Sequence, residues 1–300
     1  MQHNSALSSF QTDDSWSILN KTEKTIKEKI DKTGTPLLNW DINIYRGILT
    51  GFNEAFIINS EKRMELIEKD PKSAEIIRPI LRGRDIKKYS FSFNNLYVIL
   101  ASYGSHEWLE TKYPAIYQHL LQYKEPLENR GQCKYTSGGK INTKAPYPGQ
   151  HHWLELDNNP KQKYLDDFSK QKITWGNLCI SSQFALVDEQ YYVSAPAPII
   201  VPGSKYLLGI LNSKLADWYI RSLGVTRNGG YFEYKPMFVE KLPVPLPEDR
   251  ARTQIEALVD KIMTENNATI KIEYENELDE LVYQLYNLSI AEIDYLRNKM

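Results

Sequence analysis

Side chains reactive enough for catalysis are sparse in this chain, and their spacing argues against most chemistries. One arrangement offers a metal site: Asp70 lies fifteen residues before Asp85-Ile86-Lys87. Two carboxylates and a lysine can hold Mg2+ and orient an attacking water, so the catalytic alternative is a Mg2+-dependent nuclease using Asp70, Asp85 and Lys87. Charges at helix ends produce such spacings by chance, and solvated ion pairs are their usual outcome. No G-x-G occurs, which removes the glycine-rich turn that seats a dinucleotide or S-adenosylmethionine. No Pro-Pro dipeptide occurs, which removes the Asn/Asp-Pro-Pro-Tyr/Phe tetrapeptide of amino-methylating DNA enzymes. Gly138-Gly139-Lys140 is followed by Ile141 rather than Ser or Thr, so it is no P-loop. Cys133 and Cys179 stand 46 positions apart, and the five histidines show no metal-ligand spacing. Neither a catalytic residue nor a metal ligand is expected.

Binding chemistry is better represented, in three basic patches. Arg78, Arg82, Arg84, Lys87 and Lys88 place five cations within eleven residues, with Gly83 between two of the arginines. Arginine can grip a phosphate bidentately or read the O6/N7 edge of guanine, and lysine supplies point charge. A second patch, Arg130, Lys134, Lys140 and Lys144, is interleaved with Tyr135 and Tyr147 in a segment without periodicity (130–149), the pattern of a long surface loop. The third comprises Arg221, Arg227, Asn228, Tyr231 and Lys235, with Tyr234, around Gly229-Gly230. Asn228 could read the N6/N7 edge of adenine. Asn228-Gly229 is equally the strongest short signal for a hairpin turn.

Elements of both types must carry these patches. An amphipathic helix is expected from Trp16 to Thr33, with Ile18, Leu19, Ile26 and Ile30 as its stripe. Ile42–Thr50 reads as strand and turn, Ala55–Ile58 as a strand, and 61–69 and 73–82 as helices, the latter with Ile76, Ile77, Ile80 and Leu81 on one face. Leu96–Ala101 suggests a buried strand, and Tyr113–Leu127 a helix. Short strands follow at 172–175, 184–187, 191–193 and 199–201, then a helix over 206–223 and a strand over 231–234. Leu242-Pro-Val-Pro-Leu-Pro247 has a proline at every second position, which predicts an extended linker and a domain boundary. Beyond it, 249–287 is helical, with stripes at Ile255, Leu258, Val259, Ile262 and at Leu278, Leu281, Val282, Leu285.

Charge follows the same division. Residues 248–300 hold six Lys/Arg against twelve Asp/Glu, whereas the other 247 hold thirty-one against twenty-six. A basic body on an acidic helical appendage suits a polyanionic partner for the body and a packing or self-association role for 248–300. A mean hydropathy of −0.51 and no run of ~20 apolar residues exclude a membrane helix. Two cysteines and a polar N-terminus without an apolar signal core imply a reducing cytoplasm.

Five phrases of the sequence carry a resemblance. They are Tyr45-Arg46-Gly-Ile-Leu-Thr50-Gly51-Phe-Asn53-Glu-Ala-Phe56, Ile80-Leu-Arg82-Gly-Arg84-Asp85-Ile86, Leu211-Asn-Ser-Lys-Leu215, Tyr231-Phe-Glu-Tyr-Lys-Pro236 through Leu242-Pro-Val-Pro245, and Leu281-Val-Tyr-Gln-Leu-Tyr286. In order, from about Trp40 to the C-terminus, they resemble the TaqI-like C-terminal specificity domain. That family is the target-recognition module of type IIG and related adenine-N6 restriction–modification enzymes. The resemblance implies a mixed α+β fold with flanking helices and a helical C-terminal segment. It divides the chain into a helical lead-in (1–35), a DNA target-recognition domain (36–247) and a helical packing or dimerisation segment (248–300). It implies double-stranded DNA as ligand and a methyltransferase/endonuclease domain or subunit as partner, to which S-adenosylmethionine and Mg2+ would belong; no cofactor is expected in this chain. Without a catalytic domain, it looks like a detached specificity module, either the tail of a longer polypeptide or a separate subunit.

Overall fold

A computed structural model describes residues 19–158, 160–224 and 226–299. The expected helix start at Trp16 to Ile18 lies outside the described residues; the helix runs Lys21–Thr33, capped by Asn20, whose side chain accepts from the Glu23 amide.

Two four-stranded sheets organise the molecule. In the first, Phe184–Val187, Lys172–Trp175, Pro198–Val201 and Asn43–Arg46 lie side by side in that order, all antiparallel. The first three of these strands are buried along their whole length. Side chains alternate across a strand, and here both faces are covered. Ile173 and Ile200 join a core with the surrounding helices, whereas Ile199 and Val201 enter a second core. The sheet is therefore the partition between two cores. The second sheet has the order Tyr192–Val193, Ile77–Leu81, Leu96–Ile99, Ile57–Asn59, with only the first pair parallel. The helices Ser60–Lys69 and Pro114–Leu121 cover it through Leu66, Ile116 and Leu120.

Several expectations change, among them the helix over Tyr113–Leu127, which is two, Pro114–Leu121 and Lys124–Glu128. Residues 77–81 form a strand in the middle of the second sheet, not the second half of a helix. Ile76, Ile77, Ile80 and Leu81 fit a helical period, but Pro79 has no N–H to donate and would clash with the preceding turn. Within Ala55–Ile58, Asn53–Phe56 is one helical turn and the strand starts at Ile57. The single helix over 206–223 is two, Lys205–Leu211 and Lys214–Leu223, the second capped by Ser213 through the Ala216 amide.

The prolyl segment is not an open linker. Pro243–Val244 pairs with Thr35–Pro36, and the Tyr286 and Tyr206 hydroxyls donate to the carbonyls of Pro243 (2.7 Å) and Pro245 (3.0 Å). Ile255, Leu258, Val259, Ile262, Leu278 and Val282 of the helices Asp249–Thr264 and Ala268–Leu285 share one core with Ile26, Ile30, Trp175 and Leu211. That core runs across the expected boundary at 247/248. A Cβ on Gly209 would stand 2.8 Å from Ile255 Cγ2, so the helices touch there only because the side chain is absent. Of the two stripes, Ile255, Leu258, Val259, Ile262, Leu278 and Val282 are buried within the chain, while Leu281 and Leu285 stay part-exposed.

Candidate nucleic-acid interface

One end of the first sheet collects much of the basic sequence. The register Arg46↔Pro198 and Trp175↔Phe184 sets these four residues at a common end. Past Trp175, the chain turns through Gly176 and Asn177 into Leu178–Cys179, which pairs with Tyr231–Glu233 and through it with Thr226–Arg227. The Gly83–Asp85 turn abuts the same end: a Cβ on Gly83 would lie 3.6 Å from Ala197 Cβ and 3.9 Å from Gly176 Cα. The first and third patches thus meet along a single edge.

Each cation there is held differently. Arg82 donates bidentately to Asp85 from Nε and NH2, both at 3.0 Å. Burial of Asp85 opposes its charge, but the Arg82 hydrogen bonds, with help from Asn94, outweigh it and hold the carboxyl below its usual range. Arg84 and Lys87 are exposed and make no ion pair among the described residues. Arg78 turns back to the carbonyls of Ala74 and Ile77, both 3.0 Å, and Lys88 pairs with Glu275 on the C-terminal helices at 2.6 Å. Both side chains are part-exposed and already hold partners within the chain.

The hairpin is braced from below. Asp217, buried, accepts from the Ser182 amide (2.7 Å), the Ser182 hydroxyl (2.9 Å), the Tyr234 hydroxyl and Arg221 (3.2 Å). The Arg221 guanidinium lies 3.8 Å from the centre of the Phe232 ring and so supports the hairpin from a part-exposed position. Trp175 Nε1 donates to the Tyr234 carbonyl at 2.6 Å. On the outer side, Glu233 accepts from Arg227 Nε (2.6 Å) and Lys235 (2.8 Å), and Lys235 first, then Arg227, holds its carboxyl below the usual range. Two cations on one carboxylate leave a net positive charge at the edge. Asn228, Gly229 and Gly230 form the exposed tip, where both glycines have φ of +78°, a conformation costly for other residues. The Asn-Gly turn expected from sequence is present. Beside it, Asn177, Leu178, Thr226, Arg227, Asn228, Glu233 and Lys235 line a concavity of about 570 Å3.

The second patch behaves otherwise. Arg130 is buried and spends its guanidinium on the carbonyls of Leu127, Thr50, Trp153 and Glu155 and on Asp157 (2.7–3.1 Å). It cannot touch a phosphate; it clamps the loop. Asp157 also meets His151 Nε2 at 3.0 Å, while His151 Nδ1 faces the His152 carbonyl at 2.9 Å. Burial opposes charge on His151, but Asp157, Cys133 and the His152 carbonyl prevail and raise its pKa to about 9. Lys134 is half-buried; Lys140 and Lys144 are exposed. None of these three bonds to the edge described above.

The nuclease arrangement does not assemble. Both Asp85 oxygens are committed to Arg82 and Asn94, Asp70 caps the short helix Pro71–Glu75, and among the described residues no group of three His, Cys, Asp or Glu is placed to hold a metal. Sequence reasoning missed Arg46, exposed at the sheet end, although it stands in the first of the five phrases. It also missed Asn177, Asp217 and Glu233, which no charge cluster marks.

The family model of the TaqI-like C-terminal specificity domain matches residues 78–244. The chain belongs to that family. It is 24% identical over 223 residues to the type II methyltransferase M.MjaIV of Methanocaldococcus jannaschii, covering 72% of this chain and 69% of that one. To the type II methyltransferase M.BstVI of Geobacillus stearothermophilus it is 22% identical over 299 residues, 97% of this chain and 47% of the other. The fold is that of part of the type IIL restriction–modification enzyme MmeI, solved in complex with DNA, at a TM-score of 0.60 and 13% identity, over 88% of this chain and 36% of that one. The chain thus spans only part of the relatives it matches. As a TaqI-like specificity domain, it has a DNA-recognition role in a restriction–modification system.

Proposed function

We propose that this chain reads a specific sequence in double-stranded DNA and directs an adenine-N6 methyltransferase or endonuclease, as a domain or subunit, to that site. The observation that carries this is the convergence of Arg46, Arg84, Lys87 and the Arg227–Tyr231 hairpin on one sheet end, braced by buried carboxylates. Phosphate contacts from exposed cations fix register, and side chains at the hairpin and in the concavity beside it meet base edges. The partner supplies the group transfer, with S-adenosylmethionine and Mg2+ as its own cofactors, on a base taken out of the stack. The site of action is the cytoplasm, in keeping with described helices of which none is long and apolar enough to cross a membrane.

The test is titration of the full chain with duplex DNA at several salt concentrations. Arg84→Ala with Lys87→Ala should flatten the log-affinity versus log-salt slope by roughly 0.9 for each phosphate that the variant no longer neutralises. No binding at low salt, or an unchanged slope in the double variant, overturns the assignment. Plasmid incubated with the chain and Mg2+ should remain uncut; cleavage would restore the nuclease alternative.

A further inference from the structure

The three-stranded sheet of Leu178–Cys179, Tyr231–Glu233 and Thr226–Arg227 has two unlike faces. Directly opposed residues of antiparallel strands put their side chains on the same face. The register Phe232↔Cys179 and Thr226↔Phe232 sets Cys179, Phe232 and Thr226 on one face, where Cys179 joins the first core and Phe232 packs against it. The register Glu233↔Leu178 and Arg227↔Tyr231 sets Leu178, Tyr231, Glu233 and Arg227 on the other. That second face is open. Leu178 is 50% and Tyr231 39% exposed, and Ile180, just past the strand, is 58% exposed.

Single exposed apolar residues are ordinary, whereas a cluster of them rimmed by polar groups marks a contact surface. The rim here gives the sign of the partner. Glu233 is only 8% exposed, while the Arg227 and Lys235 side chains that pair with it are 54% and 44% exposed, so the accessible charge beside the cluster is positive. Asn228 adds an exposed carboxamide at the tip. A polyanion matches that rim, but its phosphates offer nothing to Leu178 and Ile180. On duplex DNA the apolar group open to a side chain is the C5-methyl of thymine, on the floor of the major groove. That groove is about 12 Å wide and admits a two-stranded ribbon, whose strands stand about 4.8 Å apart.

We propose that Leu178 and Ile180 read thymine by apolar contact with its C5-methyl group in the major groove, while the cations of the rim meet the flanking phosphates. The inference rests on the DNA-recognition reading above and extends it to two side chains and one chemical group. Recognition through a methyl group has its own probe. Uracil presents the same hydrogen-bonding edge as thymine and lacks only the methyl.

The full chain is first used to select its preferred site from a randomised duplex pool, and each thymine of that site is then replaced singly by deoxyuridine. At one or two positions the replacement should weaken wild-type binding about fourfold, the value of one buried methyl group. Leu178→Ala with Ile180→Ala should bind the thymine and uracil duplexes equally at those positions. The wild-type measurement stands whether or not the variant folds. A site in which no thymine methyl matters overturns the proposal while leaving DNA recognition intact. A folded double variant that separates thymine from uracil as the wild type does also overturns it, and gives the patch to a protein contact. A wild-type chain that binds no DNA overturns both readings.

Discussion

The Arg82–Lys88 turn and the Arg130–Lys144 loop are alike in sequence, each mixing arginine, lysine and glycine, yet the fold puts their charges to opposite uses. At the turn, one arginine is neutralised by Asp85 and the next cations, Arg84 and Lys87, are left exposed. In the loop, the one arginine is drawn inside by four carbonyls and a carboxylate. A basic patch becomes a surface only where buried acceptors are fewer than the cations. Counting lysines and arginines cannot reveal this, because backbone carbonyls brought together by tertiary folding are the competitors.

The sharpest way to break the comparison is to remove the buried guanidinium. Arg130→Ala strands Asp157 and four carbonyls, and loss of one member of a buried charged pair typically costs about 3–5 kcal/mol. Urea or thermal unfolding of the variant should show a loss of that order, whereas Arg84→Ala should unfold within about 0.5 kcal/mol of wild type. Equal effects on stability would erase the distinction between clamp and surface.

A smaller effect follows from His151, which belongs to the same clamp. Its folded pKa, about 9, is above the unfolded value near 6.5. The stabilisation it contributes is therefore complete below about pH 6.5 and is lost as pH rises through 9, by at most about 3 kcal/mol. Stability measured between about pH 6 and pH 10 should decline over that interval, and His151→Gln should remove most of the decline. A decline of the same size in the variant would assign the titration elsewhere.

The smallest expected change is at the loop tip. Lys140→Ala with Lys144→Ala should leave stability within about 0.5 kcal/mol and alter the salt slope of DNA binding less than the Arg84/Lys87 double variant does. A larger slope change than that pair produces would bring the loop into the DNA surface and widen the interface.

Much of the scaffold was legible as apolar runs of the right length. Lys172–Trp175, Phe184–Val187 and Pro198–Val201 read as strands because β-branched and aromatic residues cluster between turn signals. Residues 77–81 were not, since four aliphatic residues match either period and only Pro79 argues against helix. The prolyl segment misled for a related reason: alternate prolines do favour extended backbone, but an extended strand buried under Tyr206 and Tyr286 is as compatible with them as a linker. Of the site, the Asn228-Gly229 turn and the Arg82–Lys87 cations were visible.

The sheet that separates the two cores also separates two kinds of inheritance. Its strands hold their side chains in hydrophobic packing on both faces, so change there is punished on either side. The Gly176–Ile180 turn and the 226–231 hairpin emerge at its end, where Leu178, Ile180 and the 226–230 tip are exposed while Cys179 stays in the first core. Under the proposed reading, grafting the exposed positions of those segments between relatives should transfer sequence preference without transferring the scaffold.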